Sequence, residues 1–285
     1  MTGRLTGRAR VTAGLPVVWF LCAASTGSAQ MARLSTTPPI AEVRQGDALL
    51  GFGISYGFDQ TFPLSGLKGD LLSIGRFVAA YGIADHAVLQ LEWDALRILR
   101  IEQAGPSAVM LAAGSGEGHT SDLADARITL TYAPFSLRSG VLFGGWAAFE
   151  LPNSEQSRGI GNNTSNALVG GLVSIPREHL TLTGRLGLGI LESPLRQFSQ
   201  DDVVVYGVDG LVDVTDRLRL TVSVDGRTNP RRTVSLGAED VGAIRAGAEI
   251  QVGGWRIDGG LASGFAHRSP AWQVDLGLSW IRRAD

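Results

Sequence analysis

Polar and apolar residues alternate along much of this chain. From Arg217 to Arg227 every odd position is polar and most even ones are aliphatic. Near the C-terminus Trp272, Val274, Leu276, Leu278 and Trp280 alternate with Gln273, Asp275, Gly277 and Ser279. A period of two means a strand with one apolar face and one polar or small face. Twelve segments read this way: 48–60, 70–82, 86–101, 123–133, 139–151, 166–176, 179–191, 202–214, 217–228, 240–252, 255–266 and 271–283. Helical spacing appears nowhere at comparable length, so the pattern predicts an all-β chain.

The connections alternate in length. Ile83–Asp85, Pro134–Arg138, Arg177–Glu178, Thr215–Asp216 and Gly253–Gly254 are short. Thr61–Gly69, Glu102–Asp122, Pro152–Ser165, Glu192–Asp201 and Asn229–Glu239 are longer, and His267–Pro270 is intermediate. Short turns at one end and long loops at the other are the habit of outer-membrane barrels. The prediction is a closed, up-and-down, antiparallel transmembrane β-barrel of about 12 strands. Aromatic residues support it. Phe58, Phe149, Phe265 and Trp272 take the apolar phase near the external ends, and Tyr81, Tyr132, Trp255 and Trp280 near the periplasmic ends. Rings at two levels match two headgroup regions. In a soluble β-sandwich, the alternative, they would gather at strand centres. Trp146 takes the inward phase.

Composition adds compartment and calibre. Arg4, Arg8 and Arg10 precede an apolar run from Val11 to Ser25 and the small residues Gly27-Ser28-Ala29, the layout of a secretory signal peptide over residues 1–29. Residues 30–46 then read as a short periplasmic N-terminal segment and 47–285 as the barrel. Cys22, the single cysteine, falls in the signal peptide, which excludes a disulfide-stapled scaffold. The net charge of −2, with no basic cluster, gives no footprint for nucleic acid. Glycine accounts for 38 of 285 residues, about twice the usual share. On the inward phase, at Gly51, Gly53, Gly57, Gly187, Gly189, Gly260 and Gly264, it spares room in a narrow lumen.

The inward phase also collects charge: Arg76, Glu92, Asp94, Arg127, Glu150, Arg185, Asp209, Asp213, Arg219, Asp225, Arg227, Arg245, Glu249, Arg256, Asp258 and Asp275. Interleaved signs inside a barrel either pair and stiffen the interior or line a path that selects among solutes. The candidates for lining and selectivity are Arg76, Glu92, Arg127, Trp146, Arg185, Asp209, Arg219, Asp225, Arg245, Glu249, Arg256 and Asp258. The apolar stretch Ala108–Ala113 in the loop 102–122 either folds into the lumen as a constriction or packs on the loops outside. Trp146 is a second candidate restriction. His267 with Ser269 is the one local pair suited to a barrel hydrolase, against the plainer reading of a solvated loop. His86, His119 and His179 fall in turns or loops. Asp201-Asp202 could attract a divalent cation or simply end a loop. Gly114–Gly118 lacks the lysine of a phosphate cradle. No cofactor is implied.

Two segments resemble a known family. Asp122-Leu123-Ala124-Asp125-Ala126-Arg127-Ile128-Thr129-Leu130-Thr131-Tyr132 is similar to the strand-entry pattern of the outer-membrane barrels named for the meta-pathway of phenol degradation, with Ala124 where members carry Gly. Glu150-Leu151-Pro152-Asn153, the polar loop to Ser165 and the hairpin over 167–191 resemble the same group. The resemblance spans about residues 46–285. It implies a Gram-negative outer-membrane barrel, among lipid and lipopolysaccharide, that passes small, often hydrophobic or aromatic, molecules; it implies no catalytic or ligand residues. The expected function is passive passage of small solutes. The alternatives are a closed structural or surface-interaction barrel and a lipid-modifying barrel enzyme. Substrate and oligomeric state are not legible.

Overall fold

Strands with a polar and an apolar face need partners along both edges, and here they find them by closing into a ring. The computed structural model describes residues 39–195, 199–266 and 268–284; the proposed signal peptide lies outside the described residues. The strands are β1 (Ala48–Phe62), β2 (Leu67–Ala84), β3 (Ala87–Ala104), β4 (His119–Asp122), β5 (Ala126–Ser136), β6 (Leu142–Leu151), β7 (Asn166–Pro176), β8 (Leu180–Glu192), β9 (Gln200–Asp213), β10 (Leu218–Thr228), β11 (Val241–Val252), β12 (Trp255–Gly264) and β13 (Trp272–Arg282). All pairings are antiparallel, and β1 closes on β13 from Ala48 opposite Arg282 to Phe58 opposite Trp272. β4 and β5 both pair with β3 in a single register, Arg97 opposite Asp122 and Glu92 opposite Arg127. They are two halves of one stave, and the barrel has twelve. Closure gives each of the twelve staves a neighbour on either side.

The outer wall is apolar. Leu186, Leu188 and Leu276 are 64, 62 and 60 % exposed, as strands facing lipid require and strands facing water do not. Trp255 stands opposite Trp280 at the terminus end, where the described residues begin at 39 and finish at 284, and Phe58 opposite Trp272 at the loop end. Phe265 keeps its expected place on the outer face at the loop end, 45 % exposed. β12 stops at Gly264, and the Phe265 ring lies over Gly242, where a Cβ would come within 2.4 Å of it.

Glycine sets what the inner wall can carry. A Cβ on Gly170 would meet the indole nitrogen of Trp146 at 2.8 Å, and one on Gly187 the same ring at 2.8 Å. The two glycines face each other in register, so the indole lies flat across β7 and β8. Trp146 is thus held against the wall and does not cross the lumen as the expected restriction. Gly277 leaves the Asp258 carboxylate its space in the same way, with a Cβ falling 2.5 Å from Oδ2.

Simple alternation fails along one side. Gly75, at φ +66°, is an extra residue relative to β1, whose Gly53 pairs with Arg76 and whose Ile54 pairs with Ile74. Leu71 and Ser73 point inward before it, Arg76 and Val78 after it. The reversal continues into β3, where Gln90 and Asp94 are buried below Ala95 and Arg97 and Leu99 above it. In the next stave it falls at the gap 123–125, where the Ala124 N–H donates to the Asp94 carbonyl. The expected strand 123–133 is therefore two pieces around a bulge. Two further boundaries differ. The expected loop 61–69 is a tight turn at 63–66, and the loop 102–122 shrinks to 105–118.

The two sequence segments that carried the family resemblance meet at this gap. The Asp125 carboxylate accepts the backbone N–H of Asn153 at 3.0 Å and of Ser154 at 2.7 Å. The Asn153 side-chain oxygen in turn accepts the Ala126 N–H at 3.1 Å.

Candidate functional site: the barrel lumen

The segment before β1 does not trail away from the barrel. Residues 39–43 turn into the terminus-end opening, with a short 3-10 turn at Ile40–Glu42. Ile40 and Val43 are buried in a cluster with Val88, Leu142, Trp146 and Leu172 of the inner wall. The chain then runs along the end of β2, where Gly46 N–H donates to the Gly82 carbonyl and Gly82 N–H to the Asp47 carbonyl, each at 2.8 Å. A Cβ on Gly82 would fall 2.0 Å from the Arg44 carbonyl oxygen, so only glycine permits this approach. His86 contacts the Ile40 carbonyl through Nδ1 at 3.2 Å and donates its N–H to the Val43 carbonyl at 3.0 Å.

Charges latch this plug. Arg219 holds Glu42 at 2.8 Å and Asp213 at 2.7 Å. Arg283, just beyond β13, reaches Glu42 at 3.4 Å and Asp47 at 3.2 Å. Asp47 also accepts the N–H of Ala284 at 2.9 Å and of Arg44 at 3.0 Å. Burial, the largest single influence on this carboxyl, pushes its pKa up. The two N–H donors and Arg283 together outweigh it and leave it below the ordinary aspartate value.

Above the plug is a cavity of about 230 Å³. Ile40, Val88, Trp146, Leu168 and Leu172 line its lower part, and Glu92, Arg127, Glu150, Asp225 and Arg227 are among its polar lining. A smaller cleft, about 70 Å³, lies beside the plug between Glu42, Arg219, Glu249, Arg256 and Arg283.

The predicted site residues all lie on the inner wall, in separate groups. Arg185 pairs with Asp209 at 2.9 Å and Arg256 with Glu249 at 3.3 Å. Arg245 pairs with Asp225. Arg76 reaches across the glycines of β1 to Asp275 and lies 3.8 Å from Asp94. Arg127 is 3.8 Å from Glu150, whose other oxygen accepts from Asn166 at 2.7 Å. Asp258 packs beside Gly277. Glu92 faces the cavity and forms no ion pair among the described residues. Period-two reading missed Arg97, buried above the bulge and donating to the Leu123 carbonyl at 2.7 Å, because the phase had reversed. It also missed Glu42 and Asp47, which lie outside any periodic segment.

The loop end closes differently. Ile160 of the loop 152–165 is buried against Leu67, Leu71 and Leu99 of the inner wall, and Ala238 of the loop 229–240 against Leu191 and Val203. The stretch Ala108–Ala113 takes the outer of its two expected positions. Leu111 packs on the Ile160 cluster, Ala112 N–H donates to the Ser157 carbonyl, and Met110 is 90 % exposed. Asp201 and Asp202, the candidate cation ligands, pair with Arg231 at 3.1 and 3.8 Å. His267 lies outside the described residues. Its proposed partner Ser269 is buried, with its hydroxyl accepting the Gly242 N–H at 2.9 Å.

No protein-family model and no curated protein sequence matches this chain. Solved structures do. An outer-membrane channel from Pseudomonas putida F1 superposes with a TM-score of 0.60 at 14% identity, over 84% of this chain and 97% of that one. The toluene transporter TodX of Pseudomonas putida gives 0.39 at 9% identity over 90% and 95%. LpxR from Salmonella typhimurium gives 0.45 at 9% over 82% and 99%. At these identities the likeness is one of fold, and it places this chain in the architecture of outer-membrane barrels.

Proposed function

We propose that this protein is an outer-membrane channel of Gram-negative type for passive passage of small solutes, with the segment 39–43 as its movable closure. The observation that carries the reading is the lumen itself. Between a plug of a few residues and two inward-folded loops lies an unfilled cavity that is apolar below and charged above. A barrel built only as a scaffold has no need to leave that space. The apolar lower lining favours solutes with an apolar or aromatic body, and the charged groups are the selecting elements. The apolar wall belongs among lipid and lipopolysaccharide. Residues 1–29 serve as the export signal. The interlock of Asp125 with Asn153 supports kinship with the barrels named for the meta-pathway of phenol degradation.

The rival is a closed structural barrel, favoured by the paired charges that stiffen the wall. Efflux of small solutes from lipid vesicles separates the two. Vesicles carrying the protein should release aromatic solutes faster than empty ones, and faster again with Ile40→Asp. Release at the rate of empty vesicles, for both proteins in their folded form, would establish the closed barrel instead.

A further inference from the structure

The cavity holds donors with nothing to donate to. Successive inward rows across β3, β5 and β6 run Val88–Thr131–Trp146, Gln90–Thr129–Ala148 and Glu92–Arg127–Glu150. Apolar and aromatic groups therefore give way to charge within three rows. Trp146 Nε1, Arg127 Nε and Arg227 Nε are shielded from solvent and have no hydrogen-bond acceptor. Trp146 is only 7 % exposed. Arg227 forms no ion pair among the described residues, and its one hydrogen bond runs from NH2 to the Gly237 carbonyl at 3.2 Å. Arg127 has Glu150 only at 3.8 Å. All three side chains line the same cavity.

Shielded donors without acceptors are costly unless something supplies the acceptor. We propose that the cavity binds a small amphipathic carboxylate, with its apolar body against Trp146 and Ile40 and its carboxylate at Arg127 and Arg227. A carboxylate accepts only, and its planar oxygens suit guanidinium N–H groups. At Arg127 and Arg227 a cation would face two guanidinium groups whose Nε–H groups already lack an acceptor. Glu92, opposite Arg127 in register, and Glu150, 3.8 Å from Arg127, are the opposing charges beside these arginines, and they temper the affinity enough for a solute to leave again. The proposal deepens the channel reading by naming its solute, yet binding can be measured apart from passage.

The test is calorimetric titration of benzoate into the protein, purified from cells expressing the full chain and held in lipid nanodiscs. Arg227→Gln and Arg127→Gln should each weaken binding about tenfold, the size of one charge-assisted hydrogen bond. Glu92→Gln should tighten it several-fold. Benzyl alcohol should bind more weakly than benzoate, and benzylamine not at all. Heat-dependent electrophoretic mobility verifies that each variant is folded. Preference for benzylamine, benzoate affinity untouched by Arg227→Gln and Arg127→Gln, or no benzoate binding to the folded protein would overturn the proposal. Vesicle efflux without benzoate binding removes this site and leaves the channel. Binding without efflux of any solute leaves the site and removes the channel.

Discussion

The two ends of the lumen are closed by different chemistry. At the terminus end a short segment lies over two buried side chains, Ile40 and Val43, and is held by Arg219 and Arg283 through Glu42 and Asp47. At the loop end, long loops bury Ile160 and Ala238 in apolar clusters, with Arg268–Glu239 at 2.8 Å as an ion pair on the rim. Half-exposed ion pairs are worth little each and respond to pH and salt. Apolar clusters made of loops are lost only when the loops unpack. One closure is thus suited to release and the other to permanence. A moving part in this barrel belongs at the terminus end.

The largest expected effect concerns the wall that both ends share. Leu220 faces outward at mid-strand in β10, opposite Val212 and Ala248. Leu220→Arg should cost about 2–4 kcal/mol in folding titrations in lipid. Its inward neighbour, Thr221→Ser, should cost under about 0.5 kcal/mol. Next comes Ile160→Asp, which puts a charge into the loop-end cluster. It should lower stability by about 2–3 kcal/mol while leaving solute efflux nearly unchanged. The same substitution at Ile40 should do the reverse, with a stability loss nearer about 1 kcal/mol and a clear rise in efflux, because water can receive the released segment. Equal behaviour of the two variants would erase the distinction between the ends.

Smaller effects probe the latch alone. A double-mutant cycle between Arg219→Gln and Glu42→Gln should give a coupling of about 1 kcal/mol that falls with added salt. Asp47 gives the pH dependence. Its folded pKa lies below the ordinary aspartate value of about 3.9. Its contribution is therefore complete above that value and disappears as pH falls through the lower, folded one. A step from pH 7 to pH 5 should leave efflux unchanged, and release should begin only below about pH 4. Asp47→Asn should abolish that acid response.

Much of this architecture was legible in the alternation. From β6 to β13 every charged residue assigned inward lies on the inner wall, because nothing interrupts the period between Leu142 and Arg282. The other side was harder. Gly75 looks like any strand glycine, and its left-handed φ appears only once β1 is paired beside it. The reversed phase then hid Arg97 and Leu99. The turn at 63–66 escaped because Leu64, though buried, made the stretch look continuous with neither strand nor loop. The plug was invisible for a different reason. Ile40 and Val43, among polar neighbours, have no period, and their burial depends on an inner wall that the twelve staves build together. The stretch Ala108–Ala113 was recognised as apolar, but its destination was set by Ile160, far along the chain.

The most direct test of the account is single-channel conductance in a planar bilayer, comparing the protein with a variant carrying Arg219→Gln and Arg283→Gln. Release of the latch should turn small or infrequent steps into larger and longer ones, and high salt should narrow the difference between the two proteins. Traces that are equally silent for both, from barrels verified as folded, would contradict the claim that segment 39–43 closes a channel.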